Sequence, residues 1–206
     1  MTSVDLLLAG AMLLGGYLLG SASSAIIVCR LMGLPDPRTT GSGNPGATNV
    51  LRGGSKLGAA LTLTGDTLKG LIAVLRARAV SDDPLFWCAA GAGAFFGHLF
   101  PLYFGFAGGK GVATLFGVVF GLSWLSGLLA LVTWLAMTLT FRYSSVSALV
   151  TFALLPGYLW LLQGDLVQTA CLALLGLVMF WRHSANIARL LRGEETRVGE
   201  RSAKSS

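Results

Sequence analysis

Three places in this chain carry side chains suited to chemistry. The first is RTTGSGNPGATNVLR, residues 38–52. It holds four hydroxyls (Thr39, Thr40, Ser42, Thr48), two amides (Asn44, Asn49) and three glycines (Gly41, Gly43, Gly46), bracketed by Arg38 and Arg52. Glycine admits positive φ and lets backbone N–H groups approach a ligand. Successive N–H groups in such turns form a concave anion site. Hydroxyls and amides add neutral donors, and arginine adds a fork matched to phosphate. With no carboxylate inside it, the stretch reads as a phosphate cradle. The plainer alternative is a flexible interhelical loop. The second place is Lys110 within FAGGKGVAT, residues 106–114. Glycines on both sides suit a lysine whose backbone must approach something; the alternative is an ordinary charge at a membrane surface. The third is RHSANIAR, residues 182–189, where His183 and Asn186 stand three apart and share a face if the segment is helical.

Several familiar chemistries are excluded. GSGNPG at 41–46 fits G-x-G-x-x-G, but no strand precedes it, no βαβ unit follows and Pro45 sits inside it. The lysine stretch is not a P-loop, because the required earlier glycine is replaced by Phe104. There is no G-x-S-x-G nucleophile elbow. An H-x4-D pair, as acyl-CoA-dependent glycerol acyltransferases use, is also missing: Tyr103 follows His98 at the fifth place and Ala188 follows His183. His98, beside Pro101, reads first as a structural histidine.

The elements that must position these groups are membrane spans. The chain of 206 residues is 54% hydrophobic and 12% charged, with mean hydropathy +0.72. Soluble chains carry about 25% charged residues, and a span needs about 20 apolar ones. The composition therefore predicts an all-α integral membrane protein. Apolar segments run over about residues 4–31, 57–75, 85–104, 112–141, 146–162 and 166–181. Residues 20–24 are small and polar, which favours close helix contact. Asp66 and Lys69 fall near the middle of the second segment, where each charge costs about 2.5–3.5 kcal/mol to insert. Three apart, they can pair on an inward face, as a structural ion pair or in catalysis. Arg76, Arg78, Asp82 and Asp83 read as a mixed-sign loop. Cys29, Cys88 and Cys171 stand singly, with neither metal nor disulfide spacing. The start of the chain lacks a basic n-region and reads as a retained first span.

Charge sets the topology. The first loop holds Arg30, Arg38, Arg52 and Lys56, and the last 25 residues hold Arg182, Arg189, Arg192, Arg197, Arg201 and Lys204. Positive residues collect on the cytoplasmic side, so an even number of spans separates the two groups. Residues 112–141 must then be two spans, with a turn within 121–127. The prediction is seven transmembrane helices, N-terminus outside and C-terminus cytoplasmic, as one domain over 1–195 and a basic cytoplasmic tail over 196–206. Arg76 and Arg78 fall on the wrong side. The cradle, the Lys110 loop, Arg142 to Ser145, and the His183 segment all meet at the cytoplasmic face. The basic balance points to anionic lipid, not nucleic acid.

Residues 38–52, GHLFP at 97–101 with FAGGKGVAT at 106–114, YSS at 143–145 and RHSANIAR at 182–189 resemble the PlsY family, the bacterial acyl-phosphate:glycerol-3-phosphate acyltransferases. The resemblance covers about residues 20–195 in order. It departs where many members carry Pro soon after the Gly-Ser at positions 20–21; here Ala22 to Ser24 stand instead. The resemblance implies transfer of a fatty acyl group from acyl phosphate to the 1-hydroxyl of glycerol 3-phosphate. The products are lysophosphatidic acid and inorganic phosphate, formed for phospholipid synthesis in the bacterial inner membrane. Carried onto matching positions, it implies catalytic roles for Ser42, Arg52, Lys110, His183 and Asn186. Substrate binding would fall to Gly43, Asn44, Gly46, Ala47, Thr48, Asn49, Gly108, Gly109, Ser144 and Ser145. It implies no metal and no cofactor, and adds the soluble enzyme that makes acyl phosphate as a partner. A small anion transporter with Gly-rich re-entrant loops is the alternative left by the residues alone.

Overall fold

Cap residues in the sequence set half of the α-helix starts among the described residues. The computed structural model describes residues 2–199, so the tail cations Arg201 and Lys204 lie outside the described residues. Thr2 and Asp5 form a capping box at the head of α1 (Ser3–Gly20). After a break at 21–23 comes α2 (Ser24–Leu31), then α3 (Ala47–Arg52). Ser55 caps α4 (Lys56–Val80), and Asp83 caps α5 (Pro84–Leu99) with Pro84 in its first turn. A 3-10 turn (Leu102–Phe104) leads to α6 (Val112–Leu122). Ser123 caps α7 (Trp124–Phe141); α8 (Ser144–Gln163) closes on Gly164 at φ +65°, and Asp165 caps α9 (Leu166–Arg182). Helix α10 (Ser184–Leu191) follows at His183. No strand occurs among the described residues.

Five of these segments are long and apolar enough to cross a membrane: Ser3–Leu31, Lys56–Val80, Pro84–Phe104, Trp124–Phe141 and Ser144–Gln163. A sixth is added if α9 and α10, bent by 58°, count together. Helix α6 has 11 residues, about 16 Å at 1.5 Å per residue, roughly half a hydrocarbon core. The long apolar stretch over 112–141 is indeed divided, at Ser123, inside the predicted turn.

Two parallel helix pairs form the framework. Against α1, a Cβ at Gly93 of α5 would lie 2.1 Å from the Leu13 carbonyl oxygen, and one at Gly97 would lie 2.2 Å from that of Tyr17. Between α4 and α6, a Cβ at Gly117 would lie 1.9 Å from the Thr67 carbonyl oxygen. Glycine lets these backbones touch, the usual device where lipid gives no hydrophobic drive between helices. The apolar core runs through Phe95, Leu99, Leu115, Val118, Phe152 and Met179.

The predicted loop at Arg76 and Arg78 is corrected: both lie in α4, which continues to Val80. Arginine and alanine favour helix, and nothing interrupts the helix before Ser81. Arg78 donates to the carbonyls of Gly121 (2.8 Å) and Leu122 (3.4 Å) and lies 4.5 Å over the Trp87 ring. The negative end of α6 thus holds this cation. Asp66 and Lys69 do pair, at 2.9 Å, both buried.

Candidate functional site

A cavity of about 370 Å³ opens where α3, α4, α5, α6, α7, α8 and α10 meet. One wall is the cradle. Asn49, buried in α3, holds the loop: its amide nitrogen donates to the Pro37 (2.7 Å) and Thr40 (3.0 Å) carbonyls, and its oxygen accepts the Ser42 N–H (3.0 Å). Gly41 must be glycine, because it stands at φ +56° and a Cβ would meet the Asn49 amide oxygen at 2.3 Å. With the loop fixed, Ser42, Asn44, Gly46, Ala47 and Thr48 line the cavity. The first turn of a helix has N–H groups without intrahelical partners, so the start of α3 offers donors beside these hydroxyls. Thr48 Oγ1 lies 3.5 Å from Ser144 Oγ, which bridges to α8.

Lys110, His183 and Arg52 line the same cavity. Lys110 Nζ donates to the side-chain oxygen of Asn186. Burial, with Arg189, Arg52 and Arg182 nearby, pushes its pKa down to about 8. His183 Nδ1 lies 2.8 Å from the Met179 carbonyl oxygen. That oxygen can only accept, so Nδ1 carries the proton and Nε2 keeps its lone pair. Burial lowers the His183 pKa to about 4, so the ring is neutral at neutral pH. Arg52 Nη2 donates to the Thr196 carbonyl (3.0 Å), while its buried Nε has no protein partner among the described residues. The apolar side of the cavity is Ala59, Ala60, Leu63, Val112, Ala113 and Trp134.

All five predicted catalytic residues therefore line one cavity, with seven of the ten predicted binding residues. Gly43, Gly108 and Gly109 do not line it. Gly43 is a turn glycine at φ +69°. A Cβ at Gly108 would lie 2.2 Å from the His98 carbonyl oxygen, and one at Gly109 would lie 2.2 Å from His98 Nε2. Arg182 clamps the outer side of the loop, donating to the Gly108 (3.1 Å) and Gly109 (2.9 Å) carbonyls.

Sequence reasoning missed Glu195. Its buried carboxylate accepts from Ser145 Oγ (2.9 Å), Asn186 Nδ2 (2.6 Å) and Arg189 Nε (2.7 Å). Burial opposes its charge, but these three donors outweigh it and hold the carboxyl below its ordinary range. The available signal was an acidic pair inside a basic tail. Its neighbour Glu194 merely pairs with Arg192 at the surface. Arg189, Lys56, Asp66 and His98 also line the cavity.

A family pattern described as glycerol-3-phosphate acyltransferase matches residues 10–193. The glycerol-3-phosphate acyltransferase of Thioalkalivibrio sulfidiphilus (strain HL-EbGR7) is 55% identical over 201 residues, covering 98% of this chain and 99% of that one. The chain belongs to the glycerol-3-phosphate acyltransferase family. Two crystal structures of the integral membrane glycerol 3-phosphate acyltransferase PlsY share its fold. The glycerol 3-phosphate form superposes with TM-score 0.87 at 36% identity, covering 93% of this chain and 96% of that one. The lysophosphatidic acid form gives 0.85 at 34% identity, covering 92% and 94%. The resemblance read from the motifs is thus correct. The protein is a membrane acyltransferase, and the anion-transporter alternative falls. For a glycerol-3-phosphate acyltransferase the cavity has the right makeup: polar donors together with an apolar side.

Proposed function

We propose that this protein transfers a fatty acyl group from acyl phosphate to the 1-hydroxyl of glycerol 3-phosphate, at the cavity between the cradle and Lys110. The observation that carries this reading is the convergence of two separate donor sets on one cavity with an apolar side, whose two carboxylates, Asp66 and Glu195, are each paired with a cation. Ser42 and Thr48, with the backbone of Gly46 and Ala47, hold the acyl-phosphate group. Arg52, Lys110, His183 and Asn186 handle glycerol 3-phosphate and the reacting centre. The acyl chain leaves along Ala60, Leu63 and Trp134 toward the bilayer.

Acyl phosphate is a mixed anhydride and needs no acyl-enzyme. The glycerol hydroxyl attacks the carbonyl carbon, the bond from that carbon to the phosphate oxygen breaks, and inorganic phosphate departs. Holding the reactants close supplies several kcal/mol, and the cations stabilise the developing oxyanion and the leaving phosphate. A pKa of about 4 makes His183 a weak base, so the substrate's own phosphate takes the hydroxyl proton and His183 Nε2 orients the hydroxyl.

In this reading seven helices span the bacterial inner membrane, with α6 the short one. The N-terminus is outside, the C-terminus and the cavity are cytoplasmic, and residues 196–206 form the tail after a single domain. That placement gives a soluble acyl-phosphate-forming enzyme access to the cavity. Purified protein given acyl phosphate and glycerol 3-phosphate is expected to yield lysophosphatidate and phosphate. No product in a competent lipid or detergent would sink the proposal. Reporter tags at the two ends, probed from each side, test the orientation.

A further inference from the structure

One buried group of charges is left unexplained by that chemistry. Asp66 and Lys69 of α4 and His98 of α5 are all nearly inaccessible, and Asp66 and His98 reach the floor of the cavity. Lys69 Nζ lies 2.9 Å from Asp66 Oδ1 and donates to the Ala22 carbonyl, also at 2.9 Å, in the break between α1 and α2. On its other side Asp66 Oδ1 faces His98 Nδ1 at 3.6 Å. The far edge of the same imidazole, Nε2, lies 2.2 Å from where a Cβ on Gly109 would stand, and the His98 carbonyl accepts the Gly109 N–H at 3.1 Å. Lys110 is the next residue. Charges buried at this depth persist where they pair and where function holds them.

From this chain of contacts we infer that Asp66 is a positioning residue for Lys110, acting through His98. The carboxylate faces the imidazole, the imidazole supports the bare backbone of Gly109, and Gly109 sets where the Lys110 ammonium enters the cavity. Arg182 grips the loop from outside, so the loop is held between a buried histidine and an arginine clamp. Lys69 neutralises Asp66 and ties the device to the α1–α2 break. A purely structural pair would need neither the imidazole nor the contact with Gly109.

The inference rests on the proposed function, so wild-type turnover is established first; its absence would sink that reading and not this one. Steady-state kinetics in both substrates, with calorimetric titration of glycerol 3-phosphate, are then compared for the full chain and for Asp66→Asn, His98→Gln and the double variant. Each single variant is expected to weaken glycerol 3-phosphate at least tenfold in KM and in calorimetric Kd, with the acyl-phosphate KM within twofold of wild type. The double variant is expected to be no worse than the worse single, as for two members of one relay. Asp66→Asn leaves Lys69 buried without a counter-charge; should it not fold, Asp66→Asn with Lys69→Met removes both charges and takes its place. Losses that multiply, equal shifts in both KM values, or a folded variant with wild-type glycerol 3-phosphate affinity would overturn the inference.

Discussion

Lys110 and His183 lie in one cavity, and burial drives both toward neutrality by different amounts. Lysine is charged below its pKa. With the Lys110 value lowered to about 8, a function that needs its positive charge is present at neutral pH and lost as pH rises through about 8. The kcat/KM profile for glycerol 3-phosphate, which reports free-enzyme ionisations, is expected to fall on that alkaline limb. His183, lowered to about 4, is neutral from pH 5 upward, so no limb is expected near the ordinary histidine value of about 6.5. His183→Ala should lower activity yet leave pH-dependent turnover measurable; complete loss in folded protein would instead make the imidazole the base. Lys110→Ala and Ser42→Ala are expected to lose nearly all activity. Wild-type turnover in either would remove that residue from the chemistry.

Helices position these residues only because their backbones touch. At Gly117 any side chain meets the Thr67 carbonyl oxygen, so Gly117→Ala must separate α4 from α6. Overpacking of this kind costs about 1–3 kcal/mol, and thermal unfolding in detergent should show the loss. Gly157 of α8 has nothing within 4 Å of an added Cβ. Gly157→Ala should therefore leave stability unchanged or raise it by up to about 1 kcal/mol, the helix preference of alanine. An equal effect of the two substitutions would refute the packing account. The glycine count alone could not separate these positions. Gly117 and Gly157 both sit in apolar helical sequence, and only the neighbouring helix distinguishes them.

At the scale of the molecule, the segment after α10 folds back over the cavity. Glu195 gathers Ser145, Asn186 and Arg189, and the Thr196 carbonyl accepts from Arg52. The Val198 N–H donates to the Arg142 carbonyl, and Arg142 Nη2 donates to the Val198 carbonyl. Glu195→Gln keeps the shape but removes the charge that orders Asn186. It is expected to lower kcat/KM at least tenfold, about 1.4 kcal/mol of transition-state stabilisation. The Glu195 pKa is lowered on folding. Its stabilising effect is therefore full above the ordinary carboxyl range and lost as pH falls through the folded value. Acid unfolding should begin at higher pH in wild type than in Glu195→Gln, measured relative to each protein's own neutral-pH stability.

The sequence by itself determined the helical membrane class, the break inside residues 112–141 and the five candidate catalytic members of the cavity. Apolar run length, caps and the shortage of carboxylates are local properties, readable along one strand of text. Ser42, Lys110 and His183 were legible because polar, glycine-flanked groups stand out in an apolar chain. Only the tertiary structure decided which of those groups face the cavity and which serve the scaffold. Gly108 and Gly109 are glycines because His98, at the end of α5, lies folded back against them, its carbonyl oxygen in the side-chain space of the first and its ring in that of the second. Asn49 holds a loop with the amide that seemed free for substrate. Glu195 was invisible because its meaning lies in three donors from other parts of the fold. Contacts between helices depend on register and crossing, and no local pattern encodes those.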